Sequence, residues 1–115
     1  MWRTMVGAGT LVEQEGKILM ILRHRSGKTR WELPSGLIEA HESLEETATR
    51  ETLEETAISV SLGCLLCTVV MNVPSEEYRA INAYYHASPI ASTKPIPGAN
   101  EPIERADFVD ITTIR

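Results

Sequence analysis

The stretch Gly36 to Ile58, GLIEAHESLEETATRETLEETAI, constrains this chain more than any other. It leads from a loop into a strongly acidic helix that contains Arg50-Glu51-Thr52-Leu53-Glu54-Glu55. On a helix, residues three and four apart are neighbours, so Glu51, Glu54 and Glu55 share one side. Like charges crowded in this way repel unless something positive sits among them. A hard divalent cation, which favours oxygen ligands, is the simplest compensation. Ser43 and Glu46 have the spacing of a capping box and mark the helix start. From that start, Leu44, Ala48, Glu51 and Glu55 fall on neighbouring rows of one side. The carboxylates therefore border the apolar stripe that packs on the protein, while Glu45 and Glu46 point into solvent. Arg50 lies one turn before Glu54 and can fork onto a carboxylate.

Glutamate-rich helices are usually solvated faces. Here the spacing to what precedes the helix argues otherwise. Gly36 is followed by five residues and Glu42, then by seven residues and Arg50-Glu51, with Glu54-Glu55 and Ile58 in register. The stretch resembles the box that defines the Nudix hydrolase family. It departs at two positions: Thr52 stands where an aliphatic residue is usual and Ala57 where a second glycine is usual. Threonine can still pack half-buried. Alanine in a left-handed backbone carries a strain of about 1 kcal/mol or more, a matter of stability and not of chemistry.

The resemblance implies an α/β fold, the Nudix-type α/β/α sandwich with a mixed β-sheet. It also implies a hydrolase, dependent on Mg2+ or Mn2+, that cleaves the pyrophosphate bond of a nucleoside diphosphate linked to X. The Gly36 carbonyl, Glu51, Glu54 and Glu55 would be metal ligands. Glu54, or a loop glutamate such as Glu101, would take the proton of a water, and Arg50 would act from behind the ligands. The alternative is a regulatory Nudix domain that binds a nucleotide without turnover; such domains typically lose box glutamates, and this chain keeps them.

The remaining residues fit one domain spanning 1–115. A net charge of -5 argues against stable binding to a nucleic-acid backbone. Met1-Trp2-Arg3-Thr4 leads directly into a strand-like run with no apolar core of a signal peptide. No stretch approaches a membrane span. Cys64 and Cys67 form a lone CxxC within Cys64-Leu65-Leu66-Cys67, which reads as a buried strand carrying structural thiols. The expected location is cytoplasmic.

Met5 to Glu13 reads as a first strand, with Gly7 and Gly9 admitting another backbone, followed by a Gln14-Glu15-Gly16 turn. Lys17 to His24 reads as a second, buried strand. Arg23, His24, Arg25 and Ser26-Gly27-Lys28 form a basic cluster at its end, where Arg23 and Arg25 are candidate contacts for substrate phosphates. Trp31 reads as a packing residue, at the start of the Trp31–Gly36 bend. Ile58 to Val73 is β-rich, with a kink at Gly63 and an exit at Asn72-Val73-Pro74. Tyr78 to Ala87 reads as its partner, with Tyr78, Ala80, Asn82, Tyr84 and His86 on one face. Neither His86 nor His41 falls at a motif position. Ser88 to Glu104 is a Pro-, Ser- and Gly-rich loop before a short strand, Ala106 to Val109. By resemblance, Glu101 or Glu104 would supply a further ligand or base, Glu101 being preferred. Asp110 reads as a cap on a helix that is short or absent in this chain; by resemblance such a helix covers the sheet, so a partner chain, as in a homodimer, or residues beyond those given would cover the apolar surface left open.

Two features conflict over substrate. Pro74, sixteen residues beyond Ile58, and Trp31-Glu32-Leu33-Pro34 are similar to the ADP-ribose and nucleotide-sugar branch. The short chain is more similar to the branch that cleaves nucleoside triphosphates.

Overall fold

One strand, β1 (Arg3–Gln14), belongs to two sheets and sets where everything else can go. The computed structural model describes residues 1–25, 27–91 and 93–114. Ser26, Ser92 and Arg115, which fall in the basic loop, the Pro-rich loop and the C-terminal turn of the sequence reading, lie outside the described residues. From Arg3 to Val12, β1 runs parallel to β6 (Tyr78–Pro89), and at Gly7 to Gly9 its other edge pairs antiparallel with the short β4 (Ser35–Leu37). With β5 (Val60–Val73) antiparallel to β6, this gives a mixed sheet in the order β4-β1-β6-β5. The last residues of β1 turn through Glu15-Gly16, both at positive φ, into β2 (Lys17–Arg25). There β2 lies between β3 (Lys28–Glu32) and β7 (Ile103–Asp110), both antiparallel to it.

Gly7 and Gly9 are what let β4 come so close. A Cβ at Gly9 would fall on the Pro34 carbonyl, and one at Gly7 on the Gly36 carbonyl. The box helix α1 (Leu44–Thr56) packs across β1 and β6 through Ala48, which meets Ala8, Ala83 and Tyr85. Small residues on both surfaces bring the helix near the sheet, and its carboxylates come down with it. A second cluster, Val12, Leu19, Ile58, Val60 and Ala87, closes the core below the helix C-terminus.

Both departures from the box pattern are accommodated. Thr52 is fully buried, not half-buried; its hydroxyl meets the Thr10 hydroxyl of β1 at 2.7 Å and donates to the Ala48 carbonyl. A polar atom in an aliphatic place is thus satisfied from the neighbouring strand. Ala57 ends the helix in the left-handed conformation (φ 62°), its N–H donating to the Leu53 carbonyl. This is the backbone for which a glycine is usual.

Several expectations are corrected. Cys64 and Cys67 are exposed, not buried, because β5 is an edge of the mixed sheet. An apolar run reads as a buried strand only if layers cover both its faces; here Leu65, Leu66, Val69, Val70 and Met71 are about half exposed. Arg23 lies within β2 as the strand reading has it, but it is 7% exposed and so does not stand in the open with the rest of the basic cluster. The last strand begins at Ile103 and not Ala106, because β2 offers it a long ladder. Past Asp110 the chain forms a 3-10 turn, Ile111–Ile114, with the Asp110 carboxylate accepting from the Thr112 N–H and hydroxyl. Among the described residues α1 is the one α-helix, so they supply a mixed sheet and one helical layer. No described helix is long and apolar enough to cross a membrane.

Candidate active site

The helix start fixes the phase of everything that follows. The Glu46 N–H donates to the Ser43 hydroxyl and the Ser43 N–H to the Glu46 carboxylate, which completes the capping box. From that start, Glu51 and Glu55 turn inward, and Glu55 is wholly buried. Glu54 stays at the solvent rim, where Arg50 donates to it at 2.9 Å. Arg50 is a hub: it also donates to both carboxylate oxygens of Glu42, to Glu51 and to the Leu37 carbonyl. One guanidinium therefore ties the Gly36–Glu42 loop to the helix. The Arg50 hydrogen bond holds the Glu42 carboxyl far below the usual range, at about 2. Arg50 itself is raised, chiefly by the same bond. Glu42 counted in the sequence only as a motif position; its role as anchor for Arg50 became visible in three dimensions.

On the inner side, Glu55 accepts from the Ser35 N–H at 3.0 Å and from Arg23 at 2.6 Å. Arg23 also donates to Glu32 and reaches Glu101 at 3.4 Å. Glu32 was not among the candidate residues, yet it also pairs with Arg25 at the exposed end of β2. Glu101 comes from the Pro-rich loop, and Glu51, Glu55 and Glu101 present carboxylate oxygens all within 4.8 Å of one another. Gly36 completes the cradle, since a Cβ there would fall on the Glu51 carboxylate. Burial, and next the Glu101 charge, push the Glu55 carboxyl up to about 8, with Arg23 pulling the other way. Burial also raises Glu51. Three carboxylates this close, two of them buried, fit a hard divalent cation by donor type and by surplus of negative charge.

Beside the cradle lies an open cleft of about 750 Å³ bordered by Ser35 and Gly36. Tyr78, Asn82 and Tyr84 of β6 line it, with Arg25, Lys28 and Arg30 also on its wall. The period-two reading of β6 had set these aromatics on one face, but nothing in sequence marked the face as a cleft. Trp31 lies outside it, under Arg105 at 5.6 Å from ring centroid to guanidinium carbon.

The NUDIX domain description matches residues 2–114. The chain belongs to the NUDIX domain family. Among curated relatives, phosphatase NudJ of Escherichia coli is 42% identical over 59 residues, a stretch that covers 51% of this chain and 39% of that protein. Among solved structures, a NUDIX hydrolase from Nitrosomonas europaea superposes with a TM-score of 0.85 at 24% identity, over 98% of this chain and 76% of that one. A MutT NUDIX hydrolase from Burkholderia pseudomallei gives 0.82 at 26% identity, over 94% and 84%. The Nudix fold is therefore shared across the described chain.

The buried carboxyl gives this Nudix domain a pH signature. In the unfolded chain Glu55 titrates near ~4.3, against about 8 when folded. Below the lower value both states hold the proton and its contribution to stability is complete. Between the two, the folded state keeps a proton that the unfolded state has released, so stability falls as pH rises and levels off above about 8. In EDTA, thermal melts are expected to drop in midpoint from about pH 5 to about pH 8.5. The slope should flatten in Glu55→Gln.

Proposed function

We propose that this Nudix domain hydrolyses the pyrophosphate bond of a nucleoside diphosphate linked to X, with Mg2+ or Mn2+ as cofactor. The observation that carries the reading is the meeting of Glu51, Glu55 and Glu101 within 4.8 Å beside a basic-walled cleft. Glu51, Glu54, Glu55 and the Gly36 carbonyl are the proposed ligands, with Glu101 a further ligand or the base. A bound ion supplies charge neutralisation at the pyrophosphate and a water of lowered pKa. Glu54 or Glu101 then accepts the proton of the attacking water. Arg50 fixes Glu54, Glu51 and the Gly36–Glu42 loop in register. Arg25, exposed on the cleft wall, is placed to grip phosphate oxygens. Arg23 is held by three carboxylates, so it serves the substrate through Glu55 instead of reaching outward. Tyr78 and Tyr84 give the nucleoside end an aromatic wall.

Two kinds of X fit this reading: a further phosphate, as in nucleoside triphosphates, and the ribose or sugar of ADP-ribose and nucleotide sugars. The test is hydrolysis of a panel of both kinds, with dinucleoside polyphosphates, in Mg2+ and in Mn2+. Turnover of one class identifies X. Binding without turnover of any, by folded protein, would support the regulatory alternative instead. Glu46→Gln is expected to leave kcat within about twofold, because its side chain faces solvent and glutamine can keep the capping box. A large loss there would mean the helix presents a different face to the substrate.

A further inference from the structure

Glu101 sits far along the chain from the helix carboxylates it joins, so something must hold it there. The segment Pro95-Ile96-Pro97-Gly98 precedes it. Two of these four residues are prolines and carry no N–H. The two N–H groups that remain are both used: Ile96 donates to the Thr56 carbonyl at 2.8 Å and Gly98 to the Glu55 carbonyl at 3.2 Å. Those carbonyls belong to the last turn of α1, which carries no basic side chain to satisfy them. The Ile96 side chain is 62% exposed, so the attachment is made by main chain and not by burial. Gly98 lies flat on the helix end, where a Cβ would stand 2.5 Å from the Glu54 carbonyl oxygen. Beyond Glu101 the chain is fixed again, with the His24 N–H donating to the Pro102 carbonyl at 3.0 Å.

We infer that Pro95–Gly98 is a strap docked on the carbonyl end of α1, with Gly98 the positioning residue that brings Glu101 to the carboxylate cluster. The prolines stiffen the strap and leave it few alternative ways to bond. Glu101 thus reaches the site through the backbone of the same helix turn that presents Glu54 and Glu55. The inference rests on the divalent-ion reading above, and the test separates the two.

The test is titration of Mn2+ alone into the whole chain, followed by electron paramagnetic resonance, with thermal melts alongside. Glu101→Gln is expected to weaken Mn2+ by about tenfold or more, as does loss of a group that orients or completes a metal site. Gly98→Ala should weaken it comparably, by lifting the strap. Ile96→Pro tests the same contact from a second residue: at an exposed position already flanked by prolines it removes one docking N–H and sets the ring Cδ against the Thr56 carbonyl. If either variant unfolds, the other still decides. In the Glu101→Gln background, Gly98→Ala and Ile96→Pro should change Mn2+ affinity by less than about twofold, while any drop in melting midpoint persists. Equal losses of affinity in both backgrounds would overturn the strap, as would unchanged affinity in both strap variants. An unchanged Glu101→Gln with a weakened Glu55→Gln would overturn the strap and spare the metal reading. Unchanged binding in Glu55→Gln as well would overturn both.

Discussion

Glu55→Gln is expected to lower turnover by at least about a hundredfold while the domain stays folded. Glutamine has nearly the same shape but one acceptor, so its oxygen can keep Arg23 or the Ser35 N–H while its NH2 faces the other donor. What disappears is the charge at the centre of the cradle, where Glu51 and Glu101 lie within 4.8 Å. Because burial disfavours the ionised form of Glu55, the neutral variant should lose the fall in apo melting midpoint between about pH 5 and pH 8.5, while the loss of the Arg23 partner lowers the midpoint by a constant amount. Loss of activity and of Mn2+ affinity in a variant that still melts cooperatively distinguishes a ligand from a purely structural residue. Glu54→Gln should cost a similar factor for a different reason: held by Arg50 at the solvent rim, it is placed to act as ligand or base toward a bound water. Measuring kcat and the metal activation curve for both variants checks this, and near-normal rates in either would count against the assignment.

What was legible in the sequence was mostly local. The capping box at Ser43 and Glu46 set the helix phase, and from the phase Glu51 and Glu55 had to turn inward. Turn chemistry placed the β1–β2 hairpin, and Gly7 and Gly9 announced the close approach of β4. The strand of Arg23 was legible but its environment was not, because its partners Glu55, Glu32 and Glu101 arrive from three other segments. The exposure of Cys64 and Cys67 depends on β5 being last in its sheet, and strand order is a property of the whole topology. Glu101 was favoured over Glu104 by resemblance alone, and the main-chain bonds of Pro95–Gly98 to α1 leave no periodic pattern for a sequence reading to detect.

Two glycines in van der Waals reach of one another should fail in opposite ways when changed to alanine. At Gly36 the new methyl meets the end of the Glu51 side chain, which can rotate away. The fold should survive with a small change in melting temperature, but Glu51 would leave the cradle and its contact with Arg50. Turnover and Mn2+ affinity should therefore fall by about tenfold to a hundredfold, the range seen when groups that orient a metal site are disturbed. At Gly7 the methyl meets the Gly36 carbonyl and the Asn82 side chain instead. A main-chain oxygen held in the β1–β4 ladder cannot rotate aside, so the strands must part. Overpacking of this kind costs roughly 2–3 kcal/mol, a drop of order 10 °C for a domain of this size. Thermal melts and Mn2+ titrations on both variants check the pair. A Gly36→Ala protein with full metal affinity would remove Glu51 from the site, whatever the helix looks like.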